Sequence, residues 1–181
     1  MGPIPLPEPP LANGDVSLRP WRPQDVPAIV AACQDPEIPK WTLVPEPYSE
    51  DDARLWLAAQ SAARRGGRRV ELAIVDGDDR LLGSIAIARS IDGRAGEVGY
   101  WIARDARRRG VATRAVELLS TWAFSELGLE RIELLAEPGN TASQRVAEAA
   151  GFTKERLLPA HREQKGRMRD FFLYVLVPGS V

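Results

Sequence analysis

Five arginines, Arg104, Arg107, Arg108, Arg109 and Arg114, fall within eleven residues around Gly110, in the stretch RDARRRGVATRA. A strand-like run precedes this stretch and a helix-like run follows it, so four of the arginines stand just ahead of a helix start. Such an end exposes unpaired backbone N–H groups and the positive pole of the helix dipole. Gly110 removes the side chain that would hold an anion away from those amides. The chemistry this suggests is the binding of a phosphate-bearing ligand, best a pyrophosphate. Two other readings remain open, a solvated arginine loop with no ligand and a patch for nucleic acid, and neither accounts for the glycine. No Lys-Ser or Lys-Thr pair follows Gly110 and no GxGxxG is present, which argues against nucleotide hydrolysis and hydride transfer.

A second helix start, at Asn140 and Thr141, could also hold a polar ligand, or serve only as a cap in which Thr141 and Gln144 form a TxxQ box. His161 is the single histidine and sits next to Glu163 in what reads as a loop; a lone loop histidine is most often solvated. Cys33 is the single cysteine. With no partner it forms no internal disulfide and no zinc site, and its place in a helical pattern makes it a small apolar residue.

The elements that must position these groups follow from periodicity. Val16 and Leu18 alternate with polar residues up to Pro20, a short first strand. Val26, Ile29, Val30 and Cys33 recur at helical spacing after Pro23. The proline- and aromatic-rich segment EIPKWTLVPEPYSEDD reads as a shaped loop. A second helix follows over 53–63, opened at Ser49 or Glu50 and closed by Gly66-Gly67. Three strand-like runs come next, VELAIVD, RLLGSIAIARS and AGEVGYWIA, with turn residues between them, so an antiparallel meander is expected. A long helix from Gly110 to Leu127 ends at Gly128. RIELLAE is a strand, 141–150 a short helix, and two last strands flank a loop containing KGR, with FFLYVLV as the closing buried strand. A helix between the strands at 95–103 and 131–136 makes those two strands parallel neighbours. Ligands of open sheets bind beyond the carboxyl ends of such strands, and Arg104 to Ala112 lies there.

The chain of 181 residues is the right size for one domain, with a formal net charge of -1 that gives no global field for nucleic acid or a membrane surface. Its first 14 residues, rich in proline, are expected to form a flexible tail ahead of a domain over 15–181. Position 6 is Leu6 where a myristoylation motif needs Ser or Thr, and no run is long enough to span a membrane. A soluble, cytoplasmic protein is expected, with no metal, no nucleic acid and no membrane partner; exposed strand edges make a homodimer possible.

Arg107 to Ala112, RRRGVA, matches the [RQ]xxGx[GA] pattern of the GNAT superfamily of acetyl-CoA-dependent N-acetyltransferases. The preceding EVGYWI and the following GNTASQRVAEAAGF stand at that family's spacing. The chain resembles in particular the Rim-type enzymes that acetylate ribosomal-protein amino termini, over roughly residues 16–177 by element order. The resemblance implies a single α/β (α+β) domain: a mixed, mostly antiparallel sheet of about seven strands with one parallel pair at the cofactor. It implies acetyl-CoA as the cofactor, with Trp101, Ile102 and Ala103 pairing the pantetheine arm. The pyrophosphate falls to the segment from Arg107 through Arg108, Arg109, Gly110, Val111 and Ala112 to Thr113, and Asn140 hydrogen-bonds the pantetheine. The tyrosine that many members place four residues before the glycine closing the last helix is here Ala147, so Ser143 becomes the candidate acid for the leaving thiolate. Glu97 and Glu163 are the candidate bases, and the Ile102 N–H or its neighbour the oxyanion donor. Trp41 and Tyr48 could wall the amine side of the site, or pack the helices together. The amine is a protein or peptide amino terminus or a small molecule such as an antibiotic or polyamine. A non-catalytic acyl-CoA-binding module is the alternative of another class.

Overall fold

The computed structural model describes residues 2–179. One eight-stranded sheet with strand order β1-β2-β3-β4-β5-β6-β8-β7 organises them. The strands are β1 (Leu11–Asn13), β2 (Val16–Pro20), β3 (Arg69–Val75), β4 (Leu81–Arg89), β5 (Ala95–Ile102), β6 (Arg131–Ala136), β7 (Thr153–Gln164) and β8 (Arg167–Leu176). The helices are α1 (Val26–Cys33), α2 (Glu37–Trp41), α3 (Glu50–Arg65), α4 (Val111–Leu127) and α5 (Thr141–Ala149). Every strand pair is antiparallel except β5 and β6, which the crossover through α4 makes parallel. The expected meander and parallel pair are both present.

The eighth strand comes from the stretch expected to be a flexible tail. Leu11, Ala12 and Asn13 pair with β2. Ile4 is fully buried in the main core, and its N–H donates to the Arg64 carbonyl while its own carbonyl accepts from the Arg64 guanidinium. The prolines extend this segment, but Ile4, Leu6 and Leu11 give it apolar residues to dock, and burial outweighs the loss of chain freedom. Two smaller corrections concern loops. The segment after α1 contains α2, where Asp35 Oδ1 accepts the Glu37 N–H at 3.1 Å. Pro39 is tolerated there because a first-turn residue has no intrahelical N–H bond to lose. The loop expected to hold His161 and Glu163 is strand: β7 runs on to Gln164, and only Lys165 and Gly166 turn, both at positive φ (50° and 74°). That is the backbone a two-residue hairpin turn requires.

The two faces of the sheet are covered differently. On one, α4 buries Val111, Ala115, Val116, Leu119, Trp122, Ala123 and Leu127 against inward residues of β2 to β6, and α5 adds Ala147. On the other, α1, α2 and α3 form a smaller cluster around Val26, Ile29, Cys33, Ile38, Tyr48 and Ala53, with Trp56 and Trp101 packed against it. A cleft of about 1290 Å³ remains on that side and runs through to the gap between β5 and β6.

Candidate active site

The gap is built by register. β5 and β6 pair from Ala95↔Arg131 to Val98↔Leu134, and there the pairing stops. β5 continues against β4 to Ile102, and β6 against β8 to Ala136, so the carboxyl ends of the parallel pair splay apart. Ala103 donates to Leu82 on β4, and Ala95 accepts from Ser90, also on the β4 side. Strand groups alternate sides, so Trp101 and Ala103 face β4, while Tyr100 and Ile102 present their backbones to the gap. The expectation that Trp101, Ile102 and Ala103 pair a ligand is corrected accordingly: the polar edge is the N–H and C=O of Tyr100 and the N–H of Ile102. The Ile102 carbonyl accepts from Arg107 Nε at 3.0 Å.

At the far end of β5 the arginine loop turns into α4. Arg108 takes a left-handed φ of 59°, and Gly110, at 70°, caps α4 with no side-chain hydrogen bond. The first amides of the helix, from Val111 to Thr113, therefore stand open toward the cleft, which Gly110, Ala112 and Thr113 line. The arginines divide their work. Arg107 binds the Ile102 carbonyl and forms a 2.8 Å ion pair with Asp35, so it pins the loop to β5 and to the end of α1. Arg108 lines the cleft, and the Arg109 carbonyl accepts from Arg114. A diphosphate group fits these residues through open amides and Arg108, with Arg107 holding the loop in shape.

The second helix start closes the other side of the gap. Asn140 Oδ1 accepts the Ser143 N–H at 3.1 Å, which caps α5. Gln144 does not complete a capping box; its amide donates to the carbonyls of Glu137 and Pro138. Ser143 Oγ accepts a 3.1 Å hydrogen bond from the Tyr100 hydroxyl. Burial pushes the Tyr100 phenol up to about 12, so it remains a proton donor at neutral pH. Ala147 is fully buried in the core. The phenol that resemblance led one to seek on α5 is instead brought to Ser143 from β5. Tyr100 was visible in the sequence as part of EVGYWI, but only the 43-residue contact reveals its partner.

The carboxylates separate. Glu97 lies in the cleft, and both its oxygens accept from the Arg162 fork, at 2.8 and 2.7 Å. The same pairing raises the Arg162 pKa. Both oxygens of Glu97 thus brace β5 to β7, which works against the base role expected of it. Glu163 is exposed and points away, because strand alternation turns Arg162 and Gln164 to the cleft. Its expected role as base is corrected by that one-residue pleat. His161 is exposed and meets Phe171 edge-on. Unanticipated is Glu71 on β3, a cleft carboxylate with a side chain only 8% exposed.

Trp41 and Tyr48 both reach the cleft. Trp41 packs over Gly139, where an added Cβ would meet the indole at 3.4 Å, and this brings α2 over the turn before α5. Lys165 at the hairpin tip donates to the Pro39 carbonyl and closes the same side. Tyr48 packs in the smaller cluster and lines the cleft, with its phenol pushed up to about 12 by burial. Among the described residues, no group of three or more metal-ligating side chains is present, and no helix is long and apolar enough to cross a membrane.

A strand edge left open by splaying, a glycine helix start without a side-chain cap beyond it and an asparagine-capped helix start opposite are features of one known architecture. Residues 15–153 match the acetyltransferase (GNAT) domain family. The chain belongs to that family. It is 29% identical over 166 residues to the uncharacterized N-acetyltransferase p20 of Bacillus licheniformis, covering 90% of this chain and 92% of p20. Its fold is similar to that of Mycobacterium smegmatis RimJ, solved with CoA-disulfide, at a TM-score of 0.83 and 26% identity, covering 98% of this chain and 86% of that one. The ribosomal-protein-S5-alanine acetyltransferase of Vibrio fischeri shares the fold at a TM-score of 0.81 and 19% identity, with coverage of 94% and 97%. As a GNAT domain, the molecule has one more strand than the seven expected, and the parallel pair lies where expected.

Proposed function

We propose that this GNAT domain is an acetyl-CoA-dependent N-acetyltransferase that moves the acetyl group directly to a primary amine, with a protein or peptide amino terminus as the leading substrate class. The observation that carries the reading is the splayed β5–β6 gap, with open α4 amides at one end and the Tyr100–Ser143 pair at the other. Bound acetyl-CoA would supply an activated acyl carbon with a thiolate leaving group. The α4 amides from Val111 to Thr113 and Arg108 hold the diphosphate, and the backbone of Tyr100 and Ile102 holds the arm. The Ile102 N–H, without a strand partner among the described residues, stabilises negative charge developing on a carbonyl oxygen. Ser143 donates its hydroxyl proton on the helix side of the gap, and the Tyr100 hydroxyl donates to Ser143 Oγ in turn, so that the pair forms a short relay. The likeness to M. smegmatis RimJ, solved with CoA-disulfide, supports CoA as the cofactor.

Calorimetry with CoA, followed by release of free thiol from acetyl-CoA in the presence of peptides with free amino termini, tests the reading. Micromolar CoA binding and amine-dependent thiol release are expected. Absence of CoA binding would overturn it.

A further inference from the structure

An amine that is an ammonium ion at neutral pH must lose a proton before it attacks. Of the two glutamates expected to remove that proton, one is forked to a guanidinium and the other faces outward. We infer that Glu71 receives the substrate ammonium on the open face of the sheet and takes its proton. This assignment rests on the acetyltransferase reading above and deepens it.

Three placements support it. First, Glu71 stands opposite Ala86, and Ala86 stands opposite Gly99. The three side-chain positions form one row across β3, β4 and β5, so Glu71 lies two strand spacings, about 10 Å, from the lip of the gap. Ala86 contributes only a methyl group to that row. Second, Gly99 is a glycine for space. It has no positive φ, and a Cβ built on it meets nothing within 4 Å, so neither backbone conformation nor packing requires it. What its missing side chain leaves open is the cleft floor beside Tyr100. Third, the bonding of Glu71 leaves it an acceptor. Oε2 takes both Arg69 contacts, at 3.0 and 2.9 Å. Among the described residues Oε1 accepts only from the Ser84 hydroxyl, at 2.9 Å, so unlike either oxygen of Glu97 it touches no cation, and it keeps a lone pair. Tyr48 lies close enough that the Glu71 charge helps hold its phenol protonated.

The two sides of the sheet then have separate tasks. Ser143 and Tyr100 deliver a proton from the α4–α5 face, and Glu71 removes one on the opposite face, past which the amine enters. Leu43 and Leu55, 68% and 71% exposed, line the mouth, so the cleft fits a primary ammonium carried among apolar groups. The ammonium N–H bond breaks with its electron pair left on nitrogen, the proton passes to Glu71 Oε1 along water in the cleft, and that nitrogen pair is the nucleophile. Glu71 later returns the proton to solvent.

The test is the full chain with Glu71→Gln, assayed for thiol release with hexapeptides bearing free amino termini and differing in their first residue. The expected result is a fall in kcat/KM of about 100-fold at pH 7, with CoA affinity unchanged by calorimetry. The variant's rate should rise tenfold per pH unit through neutrality, because only amine already neutral can react. Glu71→Asp, which keeps the carboxylate, should retain the wild-type pH profile at a lower rate, and it carries the test if the glutamine variant does not fold. A Glu71→Gln enzyme with the wild-type rate and pH profile overturns the inference while leaving the acetyltransferase reading intact. A wild-type protein that binds no CoA overturns both.

Discussion

The helix-packed face of the sheet and the cleft-bearing face teach different things about how the site is specified. The first is sealed by α4 and α5 over a continuous core. Its functional part, β5, the arginine loop and α4, is contiguous in the chain. The second is covered by short helices and a smaller cluster, and its chemistry is assembled from distant segments: Glu97 with Arg162 across 65 residues, and Lys165 with Pro39 across 126. A ligand site made of backbone amides can be local, because strand, turn and helix start follow one another. A substrate site made of side chains draws on whichever strands and loops the topology brings together.

That contrast can be broken at several points. The largest expected effect is on the sealed face. Leu119 is fully buried there, and Leu119→Ala should lower stability by about 2–5 kcal/mol in chemical denaturation. A loss under 1 kcal/mol would mean that this core is less tightly packed than its burial implies. At the gap, Gly110→Asp places a strained, negatively charged residue at a φ of 70° beside the open amides. CoA affinity should drop by about 100-fold, the equivalent of one or two charge-assisted hydrogen bonds; calorimetry that finds it unchanged removes the diphosphate from this helix start. Ser143→Ala should lower kcat by on the order of 30- to 100-fold, with the CoA dissociation constant held. The Asn140 cap uses the Ser143 backbone and survives the change. On the open face, Gly99→Ala meets no atoms in the free protein and should leave the melting temperature alone. It should raise KM for the amine by about tenfold, roughly 1.4 kcal/mol. An equal rise in KM for acetyl-CoA would place the cofactor, not the amine, over that glycine.

Alkaline stability also follows from the buried phenols. Burial raises Tyr48 and Tyr100 to about 12 from an ordinary value of 10. The folded state thus disfavours the phenolate, and this contribution is complete below pH 10 and lost as pH rises toward 12. Tyrosine absorbance and unfolding should therefore change together over that interval.

Much of the fold was legible because its signals are local. Gly110 and Gly128 bound α4, alternating apolar residues mark β3 to β5, and a crossover helix dictates the parallel pair. The docked amino-terminal segment was not legible, since prolines mask the apolar anchors Ile4 and Leu11. The extent of β7 was hidden because its outward residues are polar on an exposed edge. Among the residues that line the cleft, the sequence pointed to the arginine loop, Asn140 and Ser143. It could not separate Glu163 from Arg162, because one step of pleat decides which faces the cleft.

The sequence by itself determined that a strand would run into an arginine-rich turn and a glycine-started helix, because φ preferences, missing side chains and helix dipoles act within a few residues. Only the tertiary structure decided that Arg107 is a pin, that the Tyr100 hydroxyl reaches Ser143, and that Glu71 occupies the cleft while Glu163 does not. Those outcomes depend on strand order and register, which bring together residues that no local pattern connects.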